Sequence, residues 1–320
     1  MKRLTGFQPT GDLHLGNLLG AMGPLVQDQQ NRDSIAMIAD LHAMTMEHDP
    51  QVLRRKILEV ATLLLAAGVD PKRTALIAHS QVPEHTELHY LLECVCHFGE
   101  AARMIQFKEK SAAGGAVRLS LLSYPVLMAA DILVHDVHEV PVGDDQNQHL
   151  ELARTLATRF NSRYGETFVV PEGVRPESAA RIMDLADPTA KMSKSARSSA
   201  GRIGLLDPPE VIRRTISRAV TDTVGIVQHD PQNQPGVTNL LVILAECTGE
   251  APGAYTSYGA LKRDVTDAVD ALLAPIRKRY AELADDPGHV RQVLAEGNTL
   301  VRPAALATVR RTRAALGLNL

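Results

Sequence analysis

The sequence predicts an α/β protein, in which a doubly wound, Rossmann-like parallel sheet forms a catalytic domain and a helical domain follows. Apolar runs of strand length alternate with helix-spaced segments over about the first eighty residues, which is typical of a sheet wound on both faces. Beyond Pro208 the chain is Arg-rich and helical in pattern, with little strand signal. We therefore expect a boundary near 205, with domains over 1–205 and 206–320, and a last helix able to pack back on the first domain.

The individual helices and strands are predicted from the spacing of apolar residues and from the turn and capping residues between them. Short apolar runs predict strands, the second of them buried on both faces: Arg3–Phe7, Ser34–Ala39, Thr74–Ala78 and Val140–Val142. Helical spacing predicts helices from Asn17, over Gln51–Ala67 with Gly68 as C-cap, over Thr86–Lys110 with Thr86 as a candidate N-cap, and over Gln146–Phe160. Tyr124–Leu133 is apolar and fits a helix or a strand. Lys191–Gly201 has the composition of a surface loop.

Composition excludes several classes of protein. With 45% hydrophobic and 22% charged residues, the chain is neither disordered nor fibrous. Lys and Arg (34) do not outnumber Asp and Glu (37), which argues against a general nucleic-acid coat. No apolar run is long enough to span a bilayer, and the first residues lack the apolar core of a signal peptide. We expect no membrane association and a cytoplasmic location.

The three cysteines do not predict a metal centre. Cys94 and Cys96 are separated by one residue, no second pair exists, and Cys247 is isolated. On the helical pattern, Cys94 and Cys96 are expected to be small core residues. An odd number of cysteines fits a reducing compartment.

The first candidate motif is the turn from Pro9 to Asn17. Gly11 and Gly16 allow the backbone to approach a ligand closely, and His14 stands where a helix begins after the first strand. A helix N-terminus offers free N–H groups and partial positive charge, both suited to phosphate. On its own, such a histidine is more often an inert surface residue.

The second candidate motif is Lys191–Ser195, 191 − 14 = 177 residues after His14. Two lysines three residues apart in a loop can close over a polyphosphate and stabilise charge that develops in the transition state. On its own, this segment reads as a solvated loop.

Together these motifs resemble the two signatures of class I aminoacyl-tRNA synthetases, a HIGH-like sequence at His14–Asn17 and an unaltered KMSKS at Lys191–Ser195. Val140–Arg154 and Tyr124–Leu133 are similar to the tryptophanyl branch of that family, and the resemblance runs from about Gly6 to the C-terminus. It implies ATP-dependent attachment of L-tryptophan to tRNA(Trp) through a tryptophanyl-adenylate. It also implies Mg²⁺ held mainly by the ATP phosphates, a homodimer, and tRNA contacts from the basic clusters around Arg213, Arg277 and Arg310.

The resemblance further implies residue roles. The catalytic residues would be His14, Lys191 and Lys194. ATP would be bound by Gln8, Pro9, Thr10, Gly16, Asn17, Lys110, Gly143, Asp144, Asp145, Ile182, Lys191, Met192, Ser193, Lys194 and Ser195. Tryptophan would be bound by His42, Tyr124, Met128, Asp131, Val142 and Gln146, with Tyr124 and Gln146 on the ammonium group.

Asp131 bears most directly on substrate identity. A carboxylate in an apolar helix needs a donor, and indole offers one N–H donor and no acceptor. A phenol could also donate, and a structural aspartate paired with an arginine or capping a helix is the common alternative. Three rival functions therefore stay open: a tyrosyl-tRNA synthetase, a small-molecule adenylyltransferase, and a non-catalytic paralogue that binds tRNA or a partner protein.

Overall fold

The computed structural model describes residues 2–31, 33–112, 117–141, 143, 146–174, 181–194 and 200–319, apart from the side chains of 109, 110 and 112. Within these residues the core of the fold is one sheet of five parallel strands in the order β3-β2-β1-β4-β5. The strands are β1 (Lys2–Phe7), β2 (Asp33–Ile38), β3 (Thr74–Ala78), β4 (Glu139–Pro141) and β5 (Glu172–Val174). The predicted doubly wound fold class is confirmed.

Helices cover both faces of this sheet. Those before β4 are α1 (Leu15–Asn17), α2 (Gly23–Asp28), α3 (Pro50–Ala66), α4 (Glu84–Glu93), α5 (Phe98–Ala102), α6 (Ile105–Ala112) and α7 (Leu119–Leu133). Those after β4 are α8 (Asn147–Tyr164), α9 (Pro209–Ser217), α10 (Pro235–Thr248), α11 (Tyr258–Ala284) and α12 (Pro287–Ala315). A π-helical turn (Leu18–Met22) joins α1 to α2, and 3₁₀ turns follow β2 (Leu41–Thr45) and β3 (His79–Gln81).

Strand β2 shows why the sheet is buried on both sides. Its residues Ser34–Ile38 are all buried, because β1 and β3 flank it and helices cover both faces. Ala36 and Ile38 point into one core, with α3, α10 and α11, while Ile35 and Met37 point into the other, with α4, α7 and α8. This alternation is the period of two expected of a strand.

The prediction that Thr86–Lys110 is mainly helical is confirmed, but the N-cap predicted at Thr86 is wrong. The structure has three shorter helices there, α4, α5 and α6, and the residue before α4 is Pro83 rather than Thr86. Helix α4 ends before Cys94, and His97 is the N-cap of α5, where its N–H donates to Glu100 Oε2 at 2.9 Å. Cys94 is exposed, so its assignment to the core is also wrong.

Two other local expectations are resolved. The ambiguous run Tyr124–Leu133 lies within helix α7. Gly68 follows α3 with a φ of 107°, a conformation that glycine adopts without strain. Across the described part of the chain, no helix combines the length and apolar character needed to cross a membrane.

Candidate active site

The site lies where the parallel strands end. Phe7 pairs in register with Ile38, and Ile38 with Ala78, so the segments after β1, β2 and β3 emerge at one edge of the sheet. Gly143 follows β4 at the same edge. The strand order changes direction at β1 and β4, which is where doubly wound folds bind ligands. Side chains far apart in the sequence are thereby brought together.

The turn after β1 is hydrogen-bonded to residues 203–205, which follow the segment that begins at Lys191 and is called the lysine loop below. His14 is buried and its backbone N–H donates to Asn17 Oδ1 at 3.1 Å. On either side, Leu15 N–H donates to Ile203 O at 2.9 Å and Leu205 N–H donates to Leu13 O at 3.1 Å. His14 therefore sits in a short antiparallel bridge with Gly204, and the two predicted motifs are neighbours.

The lysine loop itself reaches back over this turn. Met192 N–H donates to Ile182 O at 3.0 Å, which lays the start of the loop against buried Ile182. Lys194 Nζ then donates to the backbone oxygen of Gln8 at 2.8 Å. Gly11 has a φ of 65°, and a Cβ there would lie 3.3 Å from Lys194 Cβ, so this close approach favours glycine.

Two basic side chains of this cleft, His14 and Lys194, have pKa values well below their usual range. Burial, with the positive charges of Lys194, Arg202 and Lys191, lowers the pKa of His14 to about 4, so the imidazole is neutral near pH 7. Burial and the neighbouring Lys56 lower the pKa of Lys194 to about 8. Crowded positive charge that depresses its own pKa values is suited to an anionic ligand, which would relieve the repulsion.

A second cluster surrounds Asp131, which lies in α7 and is 1% exposed. His42 Nε2 lies 2.8 Å from its Oδ2, and His85 Nδ1 lies 2.7 Å from its Oδ1. His79 Nε2 is also 2.7 Å from Oδ1. Next along the chain of contacts, His135 Nε2 lies 3.0 Å from His85 Nε2.

The charge states of this cluster follow from its contacts. Burial would raise the pKa of Asp131, but His79, His42 and His85 outweigh it and hold that pKa well below its usual range. Burial would likewise lower the pKa of His79, but the charge and contact of Asp131 outweigh it and raise that pKa. An ionised carboxylate only accepts hydrogen bonds, so His85 donates its Nδ1–H to Asp131. A neutral imidazole has only one N–H, and the other nitrogen of His85, Nε2, therefore accepts the hydrogen bond from His135 Nε2–H.

The remaining hydrogen-bonding capacity of Asp131 is small. A carboxylate has about four lone-pair positions, two on each oxygen. His85 hydrogen-bonds to Oδ1 and His42 to Oδ2, while His79 Nε2 lies 2.7 Å from Oδ1 without hydrogen-bond geometry. Among the described contacts, one lone-pair position on Oδ2 is therefore left. One further donor can be accommodated there.

The same cluster could be considered as a metal site. Ligand atoms of His42, His79 and Asp131 lie within 4.8 Å of one another, and all three residues are buried. However, the N–O separations of 2.7 and 2.8 Å are hydrogen-bond distances. They are shorter than the edge of a zinc tetrahedron, about 3.3 Å for bonds near 2.0 Å. We interpret the cluster as a hydrogen-bonded network.

Tyr124 lies beside this network on the same helix. Its hydroxyl donates to Gln106 Oε1 at 2.8 Å, and His149 Nε2 lies 2.8 Å from the same oxygen. Since the hydroxyl has one proton, His149 must donate to it from Nε2, which leaves one lone pair on the phenol oxygen. The rings of Tyr124 and His42 meet edge to face, with centroids 6.1 Å apart. Burial raises the pKa of Tyr124 to about 12, so the phenol stays neutral.

Comparisons with known proteins agree with this geometry. The family described as "tRNA synthetases class I (W and Y)" matches residues 1–273. A tryptophan–tRNA ligase of Streptomyces avermitilis is 52% identical over 99% of both chains. The chain belongs to the tryptophanyl-tRNA synthetases of class I.

Solved members of this family share the whole fold. The tryptophanyl-tRNA synthetase of Mycoplasma pneumoniae superposes with a TM-score of 0.93 at 36% identity, covering 99% of this chain and 98% of that one. That of Campylobacter jejuni, complexed with ADP and tryptophan, gives 0.83 at 34% identity, covering 99% of this chain and 100% of that one.

Most residues that the resemblance singled out can be located. Gln8, Pro9, Thr10, Gly16, Asn17, Ile182 and Lys191–Lys194 lie around the first turn, while His42, Tyr124, Met128 and Asp131 lie around the second cluster. Gly143 and Gln146 lie after β4, where Gln146 N–H donates to Gly143 O at 3.0 Å. The side chain of Lys110 and residues Val142, Asp144, Asp145 and Ser195 lie outside the described residues.

Sequence reasoning about Asp131 missed its partners. The expected alternative was an arginine or a helix cap, but the described contacts are to histidines. His79, His85, His135 and His149 were not recognised as part of the site. The signal for His79 was its place directly after a predicted strand, at the same edge as His42.

Proposed function

We propose that this chain joins L-tryptophan to tRNA(Trp) in two steps. The tryptophan carboxylate attacks the α-phosphorus of ATP, which forms tryptophanyl-adenylate and releases pyrophosphate. The terminal ribose hydroxyl of the tRNA then attacks the adenylate carbonyl and releases AMP. The observation that carries this proposal is the contact of the His14 turn with Lys194, at the same edge of the sheet as a buried carboxylate with one acceptor position left.

The ATP half of the site acts by position and charge. Neutral His14 can donate one N–H to a phosphate oxygen, while Lys194 and Lys191 supply positive charge where negative charge accumulates as pyrophosphate leaves. The substrate is taken as the Mg²⁺ complex of ATP, with the metal on the phosphate oxygens. Among the described residues, the nearest carboxylate of the turn, Asp12, is held by Lys56 at 2.6 Å.

The amino-acid half of the site distinguishes ligands by the hydrogen-bond donors and acceptors that they bring to Asp131. An indole N–H fills the last acceptor position of Asp131 and brings no acceptor of its own. A phenol would fill the same position but adds an oxygen that needs a donor inside a buried pocket, which is costly. Tyr124 and Gln146 would hold the ammonium group, and Met128 would line the pocket.

The tRNA is expected to approach the groove beside the first turn. A cavity of about 810 Å³ there is lined by Arg202, Arg214 and Arg218, together with Asp12 and Lys56. Arg214 and Arg218 have no ion-pair partner in the described part, so they are available to phosphates. Other basic residues of the C-terminal half are already paired, namely Arg277 with Asp270, Arg311 with Asp136 and Arg313 with Glu87.

A homodimer and a cytoplasmic location complete the proposal. Helices α4 to α7 carry large apolar side chains that are strongly exposed, such as Phe98 (75%) and Leu119 (76%). Covering them with a second copy would bury this surface. Sedimentation should give twice the 34.7 kDa of one chain. Phe98→Asp with Leu119→Asp should give the monomer, and a wild-type monomer would contradict the dimer.

Exchange of pyrophosphate into ATP, measured with each of the twenty amino acids, tests the reaction. Tryptophan alone should stimulate exchange. Stimulation by tyrosine would favour a tyrosyl-tRNA synthetase, and exchange without any amino acid would favour a small-molecule adenylyltransferase. Absence of exchange with retained tRNA binding would favour the non-catalytic paralogue.

Binding can also be measured directly, because the chain contains no tryptophan. The indole emission of the ligand is then free of protein background, and its change on binding gives a dissociation constant without catalysis.

A further inference from the structure

Helix α12 makes polar contacts with three residues that each adjoin a histidine of the Asp131 cluster, namely Ala78, Glu84 and Asp136. The three histidines, His79, His85 and His135, are called the outer histidines below. Although α12 begins 287 − 131 = 156 residues after Asp131, it packs against β3 and α4. The contacts are polar and specific, as the following paragraphs describe.

The first contact fixes His79. Asn298 is buried and its Oδ1 accepts the backbone N–H of Ala78 at 3.0 Å. Ala78 ends β3, the edge strand of the sheet, and His79 follows it directly. At Gly297 a Cβ would lie 2.1 Å from Leu76 O, so the helix backbone packs directly on the strand. This leaves Ala78 little freedom to move relative to α12.

The second and third contacts fix His85 and His135. Arg302 donates two hydrogen bonds to Oε1 of buried Glu84, from Nη2 at 3.0 Å and from Nε at 3.2 Å. Glu84 is the residue before His85. Arg311 pairs with Asp136, the residue after His135, and its Nε also donates to Thr167 O at 2.8 Å. Asp136 has a φ of 53°, so its backbone is held in a conformation unusual for a non-glycine residue.

We propose that Asn298, Arg302 and Arg311 of α12 are positioning residues for tryptophan selection, acting through the outer histidines on the free acceptor position of Asp131. This inference rests on the proposed function. Hydrogen bonds weaken steeply with distance and angle, so a small shift of any outer histidine redirects the carboxylate. No described contact of these three residues reaches the His14 turn or the lysine loop. A defect in α12 should therefore affect tryptophan and spare ATP.

The test uses variants of the full chain in the exchange and fluorescence assays. Asn298→Leu keeps the approximate volume of the side chain and removes the acceptor, while Asn298→Asp keeps an acceptor. Arg302→Met removes the charge and keeps the apolar stem. Arg291→Ala is the matched control, since Arg291 lies on the same helix, is exposed, and has no ion pair in the described part.

We expect Asn298→Leu and Arg302→Met to raise the dissociation constant and KM for tryptophan about fivefold, the typical effect of one lost hydrogen bond. The KM for ATP should change by less than about twofold. Asn298→Asp should restore tryptophan affinity, and Arg291→Ala should behave as wild type. If Asn298→Leu does not fold, Arg302→Met decides, because Arg302 is half exposed, with 51% of its side chain accessible.

Two results would overturn the inference. One is unchanged tryptophan affinity in folded variants. The other is an equal loss for tryptophan and ATP, which indicates general destabilisation. Failure of the proposed function is distinguishable, since wild type would then show no tryptophan-dependent exchange.

Discussion

Replacing Asp131 by asparagine tests the central contact of the amino-acid pocket. The asparagine oxygen can take the place of Oδ1, to which His85 donates and which His79 Nε2 approaches at 2.7 Å. Its NH₂ group then stands at the position of Oδ2, facing the N–H of His42 and the incoming indole N–H. Donors would face donors, so the indole loses its acceptor.

The expected effect is a large loss of tryptophan affinity. A hydrogen bond to a charged group contributes about 1.5–3 kcal/mol, which corresponds to roughly a 10- to 150-fold increase in the dissociation constant. The KM for ATP should change by less than about twofold, since Asp131 has no described contact with the lysine loop. The ligand's own fluorescence measures the first quantity and pyrophosphate exchange the second.

Stability must be measured on the same variant. Removing one partner of a buried ion pair costs about 3–5 kcal/mol, so a melting curve should precede the binding assay. Asp40→Asn is the matched control, because Asp40 is also buried but accepts from Ser80, at 2.9 Å from the backbone and 2.6 Å from the hydroxyl. A folded Asp131→Asn variant that binds tryptophan as wild type does, or loses ATP equally, would refute the assignment.

Three further predictions concern other parts of the molecule. Lys194 has a pKa of about 8 and is charged below that pH, so kcat/KM for ATP should fall as the pH rises through about 8. The Lys194→Arg variant should move this fall to higher pH. A pH profile that does not move would assign the fall to another group. Arg159 and other contacts lower the pKa of Glu100 to about 2, so the stability from this pair is present above the usual value of 4.5 and lost as the pH falls towards 2. Arg159→Gln should flatten this part of the Tm profile, and an unchanged profile would contradict it. Arg214→Ala with Arg218→Ala should reduce tRNA charging at least about tenfold and leave exchange intact, and a parallel loss of exchange would place these residues elsewhere in the mechanism.

The sheet could be predicted from the sequence because its strands satisfy a local rule. Ser34–Ala39 and Thr74–Ala78 are short apolar runs between turn signals, and burial on both faces of a parallel sheet requires this pattern. Thr86–Lys110 was harder, since three short helices share one continuous helical spacing. The break at Cys94–His97 depends on tertiary contacts, such as the ion pair of Glu100 with Arg159 at 2.5 Å, which no local pattern records.

The ATP half of the site was more predictable than the amino-acid half. A Cβ at Gly11 would lie 3.3 Å from Lys194 Cβ, and a Cβ at Gly16 would lie 3.2 Å from the His14 ring. The glycines of the first turn therefore indicate its close packing in the sequence itself. The outer histidines leave no such record. Only the fold shows that His79 and His85 meet at Asp131 and that His135 contacts His85 behind them.

The histidines around Asp131 keep the carboxylate ionised, which a single buried aspartate could not achieve on its own. An isolated carboxylate buried in α7 would be protonated, because burial favours its neutral form. A protonated group would offer a donor as well as an acceptor and could also accept substrates that present a lone pair. The histidines keep Asp131 ionised, and His85 and His42 each occupy one lone-pair position on its two oxygens. The carboxylate that remains can only accept a hydrogen bond, so it takes a donor such as an indole N–H. In the proposed site, selectivity for indole is then a property of the whole network, to which α12 contributes by contacting the residues next to the outer histidines.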